Sequence, residues 1–182
     1  MMTRISILAL AFSALTAPAF AANPMVGGAE MYETKNIVEN AVNSPDHTTL
    51  VAAVQAAGLV DTLAGDGPFT VFAPTNEAFG MLAAGTVEDL LKPENKAALT
   101  KVLTCHVVAA DVMSEALVKM IADDGGVHAV PTVGGCTLKA MVEDGMVKIE
   151  DERGRTATVT IADVKQSNGV IHVIDAVLLP AM

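Results

Sequence analysis

Residues 69–79 read FTVFAPTNEAF, and this run decides the fold. Phe69 to Ala73 is short, aromatic and β-branched, and Pro68 and Pro74 bound it, which suits a buried strand better than a helix. Directly after it, Thr75 can cap a helix containing Glu77, Ala78, Phe79 and Leu82. Residues 168–180, NGVIHVIDAVLLP, repeat the idea near the other end of the chain: a strand fused to an Asn-Gly turn signal.

Upstream of the first stretch, Gly65-Asp66-Gly67-Pro68 closes a helical turn from Leu59 to Leu63. Before that, Leu50, Val51, Val54 and Ala57 fall on one side of a helix that starts at Ser44-Pro45-Asp46, where Ser44 or Asp46 can cap exposed backbone donors, and ends near Gly58. Asn36 to Val42 forms a shorter helix with Ile37, Val38, Ala41 and Val42 close to one face. Residues 22–35 lack periodicity and read as a flexible N-terminal arm. The first 21 residues read as a signal peptide: Arg4, an apolar run from Ile5 to Leu15, and Ala19-Phe20-Ala21 before the cut. That run is too short to span a bilayer, so the expectation is a periplasmic or secreted protein without membrane insertion.

Downstream, Thr86 to Asp89 resembles a capping box with Asp in the fourth place, and Pro93 to Leu103 is a helix. Cys105 to Val108 reads as a strand and Asp111 to Ile121 as a helix. Five strands follow, Val127–Val133, Cys136–Val142, Met146–Glu150, Thr156–Ile161 and Val170–Leu178, separated by Gly-containing turns. Helices dominate the first half and strands the second, the pattern of an α+β domain whose early strand joins later ones.

Taken in order, the helix at 43–63, GDGPFTVFAPTNEAF, the helix at 86–103 and the final NGVIHVIDAVLLP resemble a complete fasciclin-type domain over residues 36–180. The resemblance implies an α+β fold, a compact β-sandwich or wedge with flanking helices packed on one side. It also implies non-enzymatic binding and adhesion at cell surfaces or matrix. A Tyr-His pair tied to integrin recognition in animal members corresponds here to Cys105-His106, without the Tyr. A second motif centred on Asp-Ile is represented by Asp163 and Val164, but the Glu-Pro before it is Ile161-Ala162. His106, Asp163 and Val164 are therefore the candidate partner-binding residues, and an integrin-like partner does not carry over.

Composition narrows the partners. Without the leader, ten Lys and Arg oppose 21 Asp and Glu, a net charge of −11 that repels nucleic-acid phosphates. Cys105 and Cys136 are the only cysteines, and in an oxidising compartment they close to a disulfide or stay as two buried thiols. A bridge closing a loop of about 30 residues stabilises by roughly 3 to 4 kcal/mol in the chain-entropy model.

Catalytic signals are weak. His47, His106, His128 and His172 are widely spaced, which does not suit zinc, and the acidic turns lack EF-hand spacing. Ser44, Ser114 and Ser167 occupy no nucleophile elbow. The ten methionines include two in the leader, and the rest form no Met-x-Met cluster of the kind that holds copper, so they read as core filler in a chain with 3% aromatics. The reading is an exported binding module without metal or cofactor, whose partner is a surface protein or polysaccharide, with self-association as another route. The alternatives are a periplasmic small-ligand or metal-handling protein and, last, an envelope hydrolase.

Overall fold

The computed structural model describes residues 23–181, so the expected signal peptide lies outside the described residues. A small hairpin, β1 (Met25–Val26) and β2 (Ala29–Glu30), leads into α1 (Ile37–Asn43), a 3₁₀ turn (Pro45–His47), α2 (Thr48–Ala57) and α3 (Val60–Ala64). Then come β3 (Phe69–Pro74), α4 (Asn76–Gly80), α5 (Thr86–Leu90), a 3₁₀ turn (Pro93–Asn95), α6 (Lys96–Thr104), β4 (Val107–Val108) and α7 (Ser114–Asp123). The chain finishes with β5 (Val127–Pro131), β6 (Thr137–Glu143), β7 (Met146–Glu150), β8 (Thr156–Gln166) and β9 (Gly169–Ile174).

The two stretches that decided the fold lie side by side. β3 and β9 pair in parallel, from Phe69 opposite Gly169 to Pro74 opposite Ile174. Both are almost continuously buried, because helices cover one face and the curled remainder of the sheet covers the other. The close approach demands glycine at 169, where an added Cβ would collide with the Phe69 carbonyl.

The seven-stranded sheet runs β4-β3-β9-β8-β7-β6-β5. It curls until the segment after β5 meets the other edge: Val133 N–H donates to the Val107 carbonyl at 2.8 Å and Gly134 N–H to the Thr104 carbonyl at 3.0 Å. The Cys105–Cys136 disulfide spans this seam with a Cα–Cα distance of 5.4 Å. The result is an α+β wedge, nearly a barrel.

Alternation along the central strands divides the core. Val71 and Ala73 of β3, with Ile171 and Val173 of β9, face the helices and meet Leu50, Val54, Leu63, Phe79 and Leu103. Phe72 and Ile174 face the sheet interior, packing with Leu138, Ile149 and Leu178 beneath Leu117 and Ile121 of α7.

Four local expectations need correction. Residues 23–35, read as a flexible arm, are packed as a strap, because Val26 and Met31 bury their side chains in the helix-side core. Ser44 makes no cap; its hydroxyl turns to His47. The Thr86 box does not form, since Gly85 in the left-handed region is the residue before α5. Cys105 is not in a strand but caps the end of α6, which brings it to the seam. The predicted cap at Thr75 does form, accepting from Ala78 N–H at 3.2 Å, and Asn36 and Glu39 make a reciprocal capping box at α1.

Candidate partner-binding site

Of the three residues proposed from sequence, two are inside the protein. His106 is 2% exposed and Val164 is fully buried. His106 donates from Nδ1 to the Val102 carbonyl at 2.8 Å and accepts at Nε2 from Leu178 N–H at 2.9 Å, so both ring nitrogens are used by backbone. Burial pushes its pKa down to about 4, with the Val102 carbonyl and the Asp151 charge acting in the opposite direction. Its ring ties the end of α6 to the segment after β9.

Asp163 is half-buried and sits in the left-handed region at φ 59°, where β8 breaks register against β9 between Ile161 and Val164. The bend aims its carboxylate at the start of α7. There it accepts from Ser114 N–H at 2.6 Å and from the Ser114 hydroxyl. Its own N–H donates to His172 Nδ1 at 3.2 Å, and His172 Nε2 donates to the Val112 carbonyl at 2.8 Å. Burial lowers the His172 pKa, opposed by the Val112 carbonyl and the Asp163 and Asp111 charges, and its ring stacks on Phe72.

Ser, Asp and His therefore meet here, but not as a hydrolytic relay. The serine proton is directed to a carboxylate, and both imidazole nitrogens are engaged by backbone groups, so no imidazole is free to take the serine proton as in a Ser-His-Asp relay. The cluster instead positions a loop. Thr70 of β3 completes the hold, donating to the Ala110 carbonyl at 2.6 Å and accepting from Val112 N–H at 2.8 Å. Side chains from β3, β8 and β9 thus converge on residues 110–114 and present Asp111 to solvent between two fixed points.

That loop walls an open groove of about 480 Å³, with Asp66, Pro68, Met113, Lys165 and Asn168 among its lining. Asn168 braces the opposite wall. Its side-chain NH₂ donates to the Leu63 and Gly65 carbonyls, both at 2.8 Å, and its oxygen accepts from Ile37 N–H at 3.0 Å. Exposed Asp66, Asp111 and Lys165 give the groove both signs of charge. Asp111, Lys165 and Asn168 were not among the residues singled out for binding; Asn168 is marked only as part of a turn signal, and the partners it braces lie far away in sequence.

A further structural residue was missed. Asp151, 2% exposed, accepts from Arg153 and Arg155 N–H on one oxygen and from Leu179 N–H on the other, each at 2.9 Å. It anchors the C-terminal segment that also feels His106. Among the described residues, no group of three or more His, Cys, Asp and Glu is placed to hold a metal ion, and no helix is long and apolar enough to cross a membrane.

A wedge with a hydrogen-bonded seam and a braced surface groove defines a class of α+β domain whose conspicuous polar side chains organise loops. The Fasciclin domain model matches residues 45–180, and the chain belongs to that family. It is 46% identical over 187 residues to Protein sll1483 of Synechocystis sp., covering 95% of this chain and 96% of the relative. It is 34% identical over 145 residues to Immunogenic protein MPB70 of Mycobacterium bovis, covering 77% and 66% of the two chains. The fold is similar to that of a FAS1 domain pair from the insect cell adhesion molecule Fasciclin I, with a TM-score of 0.71 and 20% identity over 80% of this chain and 51% of that one.

Proposed function

We propose that the protein is an exported, non-enzymatic binding module that attaches to a protein or polysaccharide outside the cell through the groove between Asp66–Pro68, Asp111–Met113 and Lys165–Asn168. The observation that carries this reading is the convergence of Thr70, Asp163 and His172 on one exposed loop. Holding a surface loop with three part-buried or buried polar side chains removes conformational freedom before a partner arrives, which lowers the entropic cost of binding. His106, Asp163 and Val164 act in this reading by position: His106 and Val164 from within, Asp163 as the bracket of the loop. The Fasciclin family, and the adhesion molecule that shares the fold, support a surface role.

The groove carries no aromatic side chain, so recognition rests on hydrogen bonds and charge. Its mixed signs suit a polar partner more than a uniformly basic or acidic one. The test is capture of envelope and extracellular fractions on the immobilised mature domain, with protein and polysaccharide assayed separately, before and after chelation. The expected result is saturable, chelator-resistant retention that weakens at least about tenfold in the Asp111→Lys/Lys165→Glu double variant, the loss expected for one or two charged contacts. Equal retention by the variant would move the interface elsewhere. No retention, with metal held by the domain, would replace this reading with metal handling.

A further inference from the structure

The helix-side core contains a crevice, and we infer that it is a binding site for a small neutral aliphatic molecule carrying a hydroxyl group, received by His47. The crevice has a volume of about 50 Å³ and lies between the helices and the β3–β9 pair. Its walls include Ile37, Leu50, Val54, Val71 and Ile171, and Val26 of the strap contributes to the roof. Half-buried Val38, Ala41, Val51 and Val60 form the outer part, so the crevice leads toward the surface between α1, α2 and α3.

Two imidazole rings, His47 and His106, with Ser44 and Gln55, interrupt this apolar lining, and of the two rings His47 alone has an open nitrogen. His47 is 3% exposed, and its Nδ1 is 2.8 Å from the Ser44 hydroxyl. Its Nε2 is shielded from water and has no hydrogen-bond partner. The Ala73 backbone acts on the ring as a hydrogen-bonding group and raises its pKa, against the larger lowering by burial, yet no contact to Nε2 reaches hydrogen-bond geometry. His106 and His172 occupy equally dry surroundings with both nitrogens bonded, so an open nitrogen is not the habit of this fold. A buried polar atom without a partner is costly, and a group entering the crevice would relieve it.

The chemistry of that group follows from the site. A hydroxyl both donates and accepts, so it can serve Nε2 in either tautomer while its other function reaches toward the Ala73 carbonyl. Apolar walls demand a hydrocarbon remainder. Burial holds the imidazole neutral, so a carboxylate would enter without a compensating charge, which excludes fatty-acid anions. At one non-hydrogen atom per water-sized probe volume, the interior takes roughly three to five such atoms, and a longer chain must continue outward past Val38 and Val60.

The site is testable on the mature protein with ¹⁵N-labelled histidine, observed by NMR during titration with 1-propanol, 1-butanol and 1-hexanol. n-Butane serves as the control for 1-propanol, having the same number of heavy atoms and no hydroxyl. The expected result is a saturable shift largest at His47 Nε2, smaller at His106, which shares the lining with both nitrogens bonded, and absent at His172, with n-butane binding at least about tenfold more weakly. Ala41→Leu on α1 and, independently, Val51→Phe on α2 should block the crevice and abolish the shift while the variants remain folded by circular dichroism. The inference is overturned if no alcohol gives a saturable His47 response, if n-butane binds as tightly, or if a resident water already bonds Nε2 and no alcohol displaces it.

Discussion

The seam around His106 and the crevice around His47 bury the same side chain in opposite ways. At the seam every polar group is matched: His106 bridges Val102 and Leu178, Asp151 collects three N–H groups, and the disulfide joins the two edges. At the crevice one ring nitrogen is left open beside an incompletely filled apolar volume. Complete satisfaction commits a residue to the fold, whereas an open polar atom in a partly empty site leaves a place for something else. In this molecule the family's motif positions belong to the first kind.

The largest effect should come from opening the seam. A Cys105→Ala/Cys136→Ala variant is expected to lose about 3 kcal/mol of unfolding free energy, measured by urea denaturation. A loss below about 1 kcal/mol would mean that the hydrogen bonds at Val133 and Gly134 hold the edges without covalent help.

Acid should act on the seam next. The folded pKa of His106 is depressed to about 4 from 6.5, so between these values the unfolded chain binds more protons and stability rises with pH. The contribution is fully present above about pH 6.5 and is lost as pH falls toward about 4, on the order of 3 kcal/mol in total. The lowered pKa values of His47 and His172 act in the same direction. A His106→Gln variant, less stable overall, should show a visibly flatter stability profile across that window; an unchanged slope would remove His106 as its main source.

The loop bracket lies between the two regions in consequence. Asp163→Ala removes the acceptor for two Ser114 bonds, with an expected loss of about 1 to 2 kcal/mol, and Asp163→Asn should recover part of it because it keeps an acceptor and tolerates the left-handed backbone. Equal losses in the two variants would point to charge as the dominant contribution. The smallest effect belongs to the crevice: Ala41→Leu should leave stability unchanged or raise it by up to about 1 kcal/mol, since about 50 Å³ of empty volume is filled. A marked loss would show that the crevice cannot accept added atoms.

Much of the architecture was legible because it is written in local patterns. The aromatic and β-branched β3 signalled a buried strand, the Asn-Gly turn signal marked the start of β9, Gly58 marked the end of α2, and Thr75 stood where a cap forms. The strap was missed because its two anchors, Val26 and Met31, are too few to set a period. Cys105 was misread as a strand residue because an apolar run beginning at a helix end resembles one. The site was less legible for a different reason: Asn168 braces residues 103 to 131 positions away and Asp163 binds Ser114 across 49. Such pairings leave no local periodicity. A resemblance could point to Asp163 and His106, but only the packed chain reveals that one brackets a loop and the other bridges two segments from within.

The central claim is that the motif positions hold the fold while the groove meets the partner, and hydrogen–deuterium exchange of the mature domain with and without its captured partner tests it most directly. The account predicts added protection at residues 66–68, 111–113 and 165–169, with residues 105–107 at the seam unchanged. Added protection confined to the seam, or to another face with the groove unaffected, would contradict it.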